Sequence, residues 1–148
     1  MATLIRRLSK RETGSQVIEM ALVTPLLLLL ILGIVDFGFL FQRYVVLTNA
    51  AAEGARVASL PGYTPADVTA RVTAYATNGG VNGTVNTVTV PVVLAGGGTN
   101  WPGSQVTVTH VYTYQYIRPI AALFSGSLSP SVTLTSRSTV RHQVAAAP

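Results

Sequence analysis

The sequence predicts an α+β protein, in which a long N-terminal transmembrane helix continues into a small domain with a second helix packed on an antiparallel sheet of about three strands. Three observations carry this expectation. An uncharged run from Met20 to Val35 contains five consecutive leucines, Leu26 to Leu30. A stretch beginning at Thr64 has both a helix-start and a helix-stop signal. From Val85 onward the apolar period changes to two, the alternation of half-buried strands. Helices followed by strands, rather than alternating with them, make an α+β arrangement.

Composition agrees with a membrane-linked chain. Of 148 residues, 49% are apolar and only 10% are charged, whereas a soluble domain carries about a quarter charged residues. The net charge is +5, and Arg6, Arg7, Lys10 and Arg11 against Glu12 supply three of those charges before Gly14. That basic cluster has no interleaved aromatics, so nucleic acid is not an expected partner. There is no cysteine, which excludes disulfides and thiolate metal sites.

The apolar run is the first element. At about 1.5 Å per residue, Glu19 and Asp36 lie roughly 25 Å apart along a helix, close to the roughly 30 Å of a hydrocarbon core. Both carboxylates are therefore expected near the two interfaces, where an acid costs least. Phe37, Phe39, Phe41 and Tyr44 follow Asp36, as an interfacial aromatic belt does, and the basic cluster on the other side predicts a cytoplasmic N-terminus. Pro25 removes one backbone donor within the run and predicts a kink or a local weak point. Two plainer readings stand beside this one. A cleaved secretory signal would be shorter, and the small-residue site in "NAAAEGA" lies well past the run. A static signal anchor would make Glu19 merely a solvated acid favoured by the helix dipole.

The stretch "GSQVIEMALVTPLLLLLILGIVDFGFLFQRYVVLTNAAAEGAR", Gly14 to Arg56, strongly resembles the TadE-like family, minor pilins or pseudopilins of the bacterial tight-adherence (Tad) pilus within the type IV filament superfamily. The resemblance lies in the order of parts: a glycine, a glutamate five residues later, "ALVTP" leading into an aliphatic run, an acid near its end, and "TNAAAEGAR". It implies cleavage between Gly14 and Ser15 by a membrane-embedded prepilin peptidase, and a role for Glu19 in pairing with the new N-terminal amine of a neighbouring subunit. It also implies partners: other pilins and pseudopilins and an assembly platform in the inner membrane, in the service of adhesion and biofilm formation. The domain beyond the helix would then be periplasmic or displayed in the pilus. Met20 departs from the pattern, since pilins of this superfamily commonly carry an aromatic there. The alternative function is an uncleaved, membrane-anchored periplasmic adhesin or assembly factor.

The expected organisation is a basic leader at 1–14, a transmembrane and extended pilin-type helix at 15–60, and an extracytoplasmic α+β domain at 61–145. The first helix is expected to run on through Ala50, Ala51, Ala52, Gly54, Ala55 and Ala58, whose small face suits packing against the chain's own domain or another helix, until Pro61–Gly62 stops it. Glu53 and Arg56 are spaced for a helical ion pair. The second helix is expected to start with Thr64 as N-cap, Pro65 as its first residue and Asp67 completing a box, and to end at Asn78–Gly79–Gly80. Val68, Val72 and Tyr75 are its expected buried stripe.

Three strands are expected. "VNTVTVPVVLA" puts Val88, Val90, Val92 and Leu94 on one face, and Pro91 argues for an edge or a bulge. "GGGTNWPGS" reads as a flexible loop. "QVTVTHVYTYQYI" puts Val106, Val108, His110, Tyr112, Tyr114 and Tyr116 on one side, as sheet packing or as a contact surface. "SVTLTSRSTVRHQ" is the third strand, reached through "RPIAALFSGSLSP" and one helical turn. The tail "AAAP" reads as disordered. His110 and His142, the two histidines, fit no metal-ligand spacing, and no nucleophile elbow or phosphate loop is present. No cofactor, metal site or catalytic residue is expected, so the chain reads as a structural protein and not an enzyme.

Overall fold

The computed structural model describes the backbone of residues 2–96, 99–120 and 131–142, and side chains over 14–92, 102–120 and 131–142. Two helices precede three strands: α1 (Ala2–Ala58), α2 (Pro65–Asn78), β1 (Val85–Gly96), β2 (Thr99–Thr113) and β3 (Ser131–Arg141). The sheet is an antiparallel meander in the order β1-β2-β3. The α+β expectation and its order of elements therefore hold.

The chain divides into two compact units. One comprises Met1–Phe37 with Gln115–Leu128; the other comprises Gly38–Tyr114 with Ser129–Pro148. In the second unit the core is formed by Leu47, Ala50, Ala51, Ala55 and Val57 of α1, Val68, Val72 and Ala76 of α2, Val81, and Val106, Val108, Tyr112 and Leu134 of the sheet. The small face of α1 is thus used on the chain's own domain. Gly54 shows how closely: a Cβ there would lie 2.5 Å from Val72 Cγ2 and 3.3 Å from Val106 Cγ1.

The start of α2 follows the expected chemistry. The Thr64 hydroxyl accepts from the Asp67 backbone N–H at 3.4 Å, and the Thr64 backbone N–H donates to the Asp67 carboxylate at 2.8 Å. Pro65 occupies the first turn, where its missing N–H would have no helical partner. Gly79 caps the other end, and Gly80 turns the chain with φ +81°.

Four details correct or extend the sequence expectations. Tyr75 is 38% exposed, and Ala76 completes the buried stripe with Val68 and Val72; the i, i+4, i+8 row faces the core more directly than the i+7 position. Val88 and Val90 share one face of β1, as expected, and that face is the outer one: Val88 is 56% and Val90 41% exposed, whereas Val85 packs on the core. The register pairs Thr87 with Val108 and Thr89 with Val106, and directly opposed residues share a face, so the threonines take the core side. Strand β2 begins at Thr99, inside the expected loop, and its pairing with β1 continues to Gly96↔Thr99. The ladder is made by backbone groups, and it extends through a segment whose side chains are poor strand formers. At the other end β2 stops at Thr113, so Tyr114 and Tyr116 lie beyond the strand; Tyr116 is exposed, whereas Tyr114 still packs on the core. Residues 118–120 make the expected helical turn; the rest of that connection and the "AAAP" tail lie outside the described residues.

Candidate functional site

The candidate cleavage, assembly and membrane residues, Gly14, Ser15, Glu19, Met20, Pro25, Val35 and Asp36, all lie on α1. Gly14, Ser15, Glu19 and Met20 are exposed. Among the described residues, no atom lies within 4 Å of the place a Gly14 Cβ would occupy. A glycine inside a helix costs about 1 kcal/mol relative to alanine, and no close packing among the described residues requires it here. Glu19 forms no hydrogen bond or ion pair within the chain among the described residues.

From Gly14 to Ala58 α1 includes a stretch long and apolar enough to cross a membrane. Its apolar side chains are laid bare: Leu22, Leu26, Leu30, Ile34 and Val35 are among the exposed ones. Large contiguous apolar surface of this kind demands a cover. The helix continues through Pro25, and beside it the Thr24 hydroxyl donates to the Met20 carbonyl at 2.7 Å, a bond that satisfies the hydroxyl without a partner helix. Phe37, Phe39, Phe41 and Tyr44 are exposed just after the run.

Asp36 is the exception in this run, being only 1% exposed. Its carboxylate accepts three successive backbone N–H groups: Gln115 at 3.1 Å, Tyr116 at 3.1 Å and Ile117 at 2.7 Å. The sequence places Asp36 at the end of the apolar run, near an interface, but does not reveal these three donors. The only signal was an isolated acid in an apolar run, and its partners lie some 80 positions away, as the 80-residue separation from Tyr116 shows.

In the second unit, Arg43 donates to the Gly80 carbonyl at 2.8 Å and its guanidinium lies 5.8 Å from the centre of the Tyr112 ring. Tyr112 meets Tyr114 edge to face at 5.4 Å. The two tyrosines are thus at least partly used in packing. Glu53 pairs with Arg56, as its spacing predicted, and also with Arg71 of α2 at 2.8 Å. The buried His110 donates from Nδ1 to the Thr84 carbonyl at 3.0 Å, since a carbonyl can only accept. Ser104 and His142 are hydrogen-bonded at 2.7 Å beside a cleft that also involves Ser59, Tyr63, Thr64 and Thr89. Among the described residues lining that cleft there is no carboxylate, and the His142 backbone N–H donates to the Pro102 carbonyl at 3.0 Å, just beyond the end of β3.

Residues 14–56 match the family model described as TadE-like protein. This is the family the sequence resembles, matched over the same stretch. No curated protein and no solved structure matches the chain at a significant level. The family points to a pilin-like protein related to the Tad pilus, and the long apolar helix points to a membrane anchor.

Proposed function

We propose that this TadE-like chain is a minor pilin that is cut between Gly14 and Ser15 by a prepilin peptidase and then takes part in assembling or priming a Tad-type adhesive pilus. The observation that carries the reading is the pair Gly14 and Glu19. Both lie in the stretch that matches the family, and among the described residues nothing crowds Gly14 and Glu19 is exposed, with no hydrogen bond or ion pair. Their use is then sought outside it, in a peptidase and in a neighbouring subunit.

Each has a physical fit to that use. Glycine leaves the scissile backbone unobstructed. Removal of the basic leader leaves an amine on Ser15, four residues from Glu19 on an apolar helix. Inside a bundle of such helices a lone carboxylate is costly, and the amine of a neighbouring subunit compensates it and sets the register. The basic cluster before the span favours a cytoplasmic N-terminus, with the domain after Tyr44 on the opposite, periplasmic side. The partners are the peptidase, other pilins and pseudopilins, and an inner-membrane assembly platform.

The test is incorporation into sheared pili, measured as mature protein relative to the amount left in membranes. Glu19→Ala is expected to leave membrane insertion and cleavage intact and to impair incorporation, at a cost on the order of 3–5 kcal/mol for a buried pair that loses one member. Glu19→Gln keeps size and an acceptor but not charge, and is expected to be impaired too. Parental assembly by both variants would reduce Glu19 to a solvated residue and remove the pairing mechanism.

A further inference from the structure

The bend after β2 belongs to the same compact unit as the apolar part of α1, and it runs along that helix in a defined direction. Gln115, Tyr116 and Ile117 donate to Asp36. Ile117 Cδ1 then lies 3.7 Å from the place a Gly33 Cβ would occupy. Ile120 lines an apolar groove with Met20, Ala21, Thr24, Pro25 and Leu28. With about 1.5 Å of rise per residue, Gly33 is roughly 5 Å and Leu28 roughly 12 Å from Asp36 along the helix. The segment therefore descends from the Asp36 end toward the middle of the apolar run.

We propose that residues 115–120 form a second membrane-inserted element, a shallow dip into the leaflet at the Asp36 end of α1, with lipid acyl chains as its partner. The proposal rests on the reading of α1 as a membrane-spanning helix. Irregular backbone at membrane depth is tolerated only where its polar groups are satisfied within the protein. Asp36 supplies that condition for three successive N–H groups at the bend. Pro119 has no N–H to satisfy, and residues 118–120 are helical. Arg118 is exposed, and a side chain of its length can carry its charge back to the interface. Ile117 and Ile120 add apolar surface that is continuous with the bare flank of α1, which already has to meet lipid.

The chain has no cysteine, so single cysteines can report depth without background. The full chain in phosphatidylcholine–phosphatidylglycerol vesicles would carry an environment-sensitive fluorophore at Ile120→Cys. Leu30→Cys serves as the span reference and Tyr63→Cys as the aqueous one. The expected result is a probe at 120 that acyl-chain nitroxides quench as they quench the one at 30, with iodide quenching several-fold weaker than at 63. Adding Asp36→Ala is expected to shift the 120 probe toward iodide while the 30 probe stays in lipid. A 120 probe that behaves like 63 while 30 remains in lipid overturns the proposal and leaves the span intact. A 120 probe shielded from both quenchers means that a second copy of the chain covers the segment, and also overturns it. An iodide-accessible probe at 30 overturns the membrane-spanning reading and the proposal with it. An unchanged 120 probe in Asp36→Ala removes Asp36 as the anchor.

Discussion

Gly14 and Gly54 are two glycines in one helix with opposite physical meanings. At Gly54 the space is filled by Val72 and Val106, both fully buried, so a methyl group has nowhere to go. Gly54→Ala is expected to lose about 1–2 kcal/mol in spite of alanine's better helix propensity, because overpacking a tight contact costs more than propensity returns. Denaturant unfolding of the detergent-solubilised protein measures this; a stabilised variant would mean that α1 and α2 are less closely packed than described. At Gly14, among the described residues, there is only open space, which suits the peptidase site proposed for it. Asp36 shows the limit of reading single residues in sequence. Its place at the end of the apolar run was legible, whereas its three donors at 115–117 were not, because nothing local in a sequence marks which distant backbone an acid will serve.

Among the elements, α2 was the most legible. Its cap chemistry is local: Thr64, Pro65 and Asp67 sit where their side chains are needed, and Gly80 sits where a positive φ is needed. The same chemistry makes its start sensitive to acid. The side-chain hydrogen bond with Thr64, followed by the one from the Thr64 backbone, holds the Asp67 carboxyl below the usual carboxylate range. A lowered folded-state value means that the contribution is complete above about pH 4, the ordinary aspartate value, and fades as pH falls through the lower folded value. Amide exchange in the first turn of α2 is expected to speed up over that acidic range, and Asp67→Asn should abolish the pH dependence. Thr64→Ala should cost about 1 kcal/mol above roughly pH 4 and less in acid, where the bond to the Asp67 carboxylate is already lost. An acid-insensitive first turn in the parent would contradict the capping account. The strands were less legible. Their existence follows from period-two patterns, but which face of β1 turns inward depends on its register with β2, and a one-residue difference in register exchanges Val88 and Val90 for Thr87 and Thr89.

For the whole molecule, the account joins an apolar helix that needs a cover, a TadE-like stretch along it, and a small α+β domain with its own core. The domain alone would explain a soluble packing unit, and the helix alone a simple anchor. What distinguishes the proposed pilin from an anchor is a processed N-terminus, because in that proposal only the cut chain offers an amine to a neighbour's Glu19. Intact-mass and N-terminal peptide analysis of the membrane-extracted protein, co-expressed with a Tad prepilin peptidase, measures this directly. The account predicts a chain that begins at Ser15, with Gly14→Leu retaining the leader. Protein recovered from assembled pili with the peptide from Met1 to Arg11 still attached would contradict it.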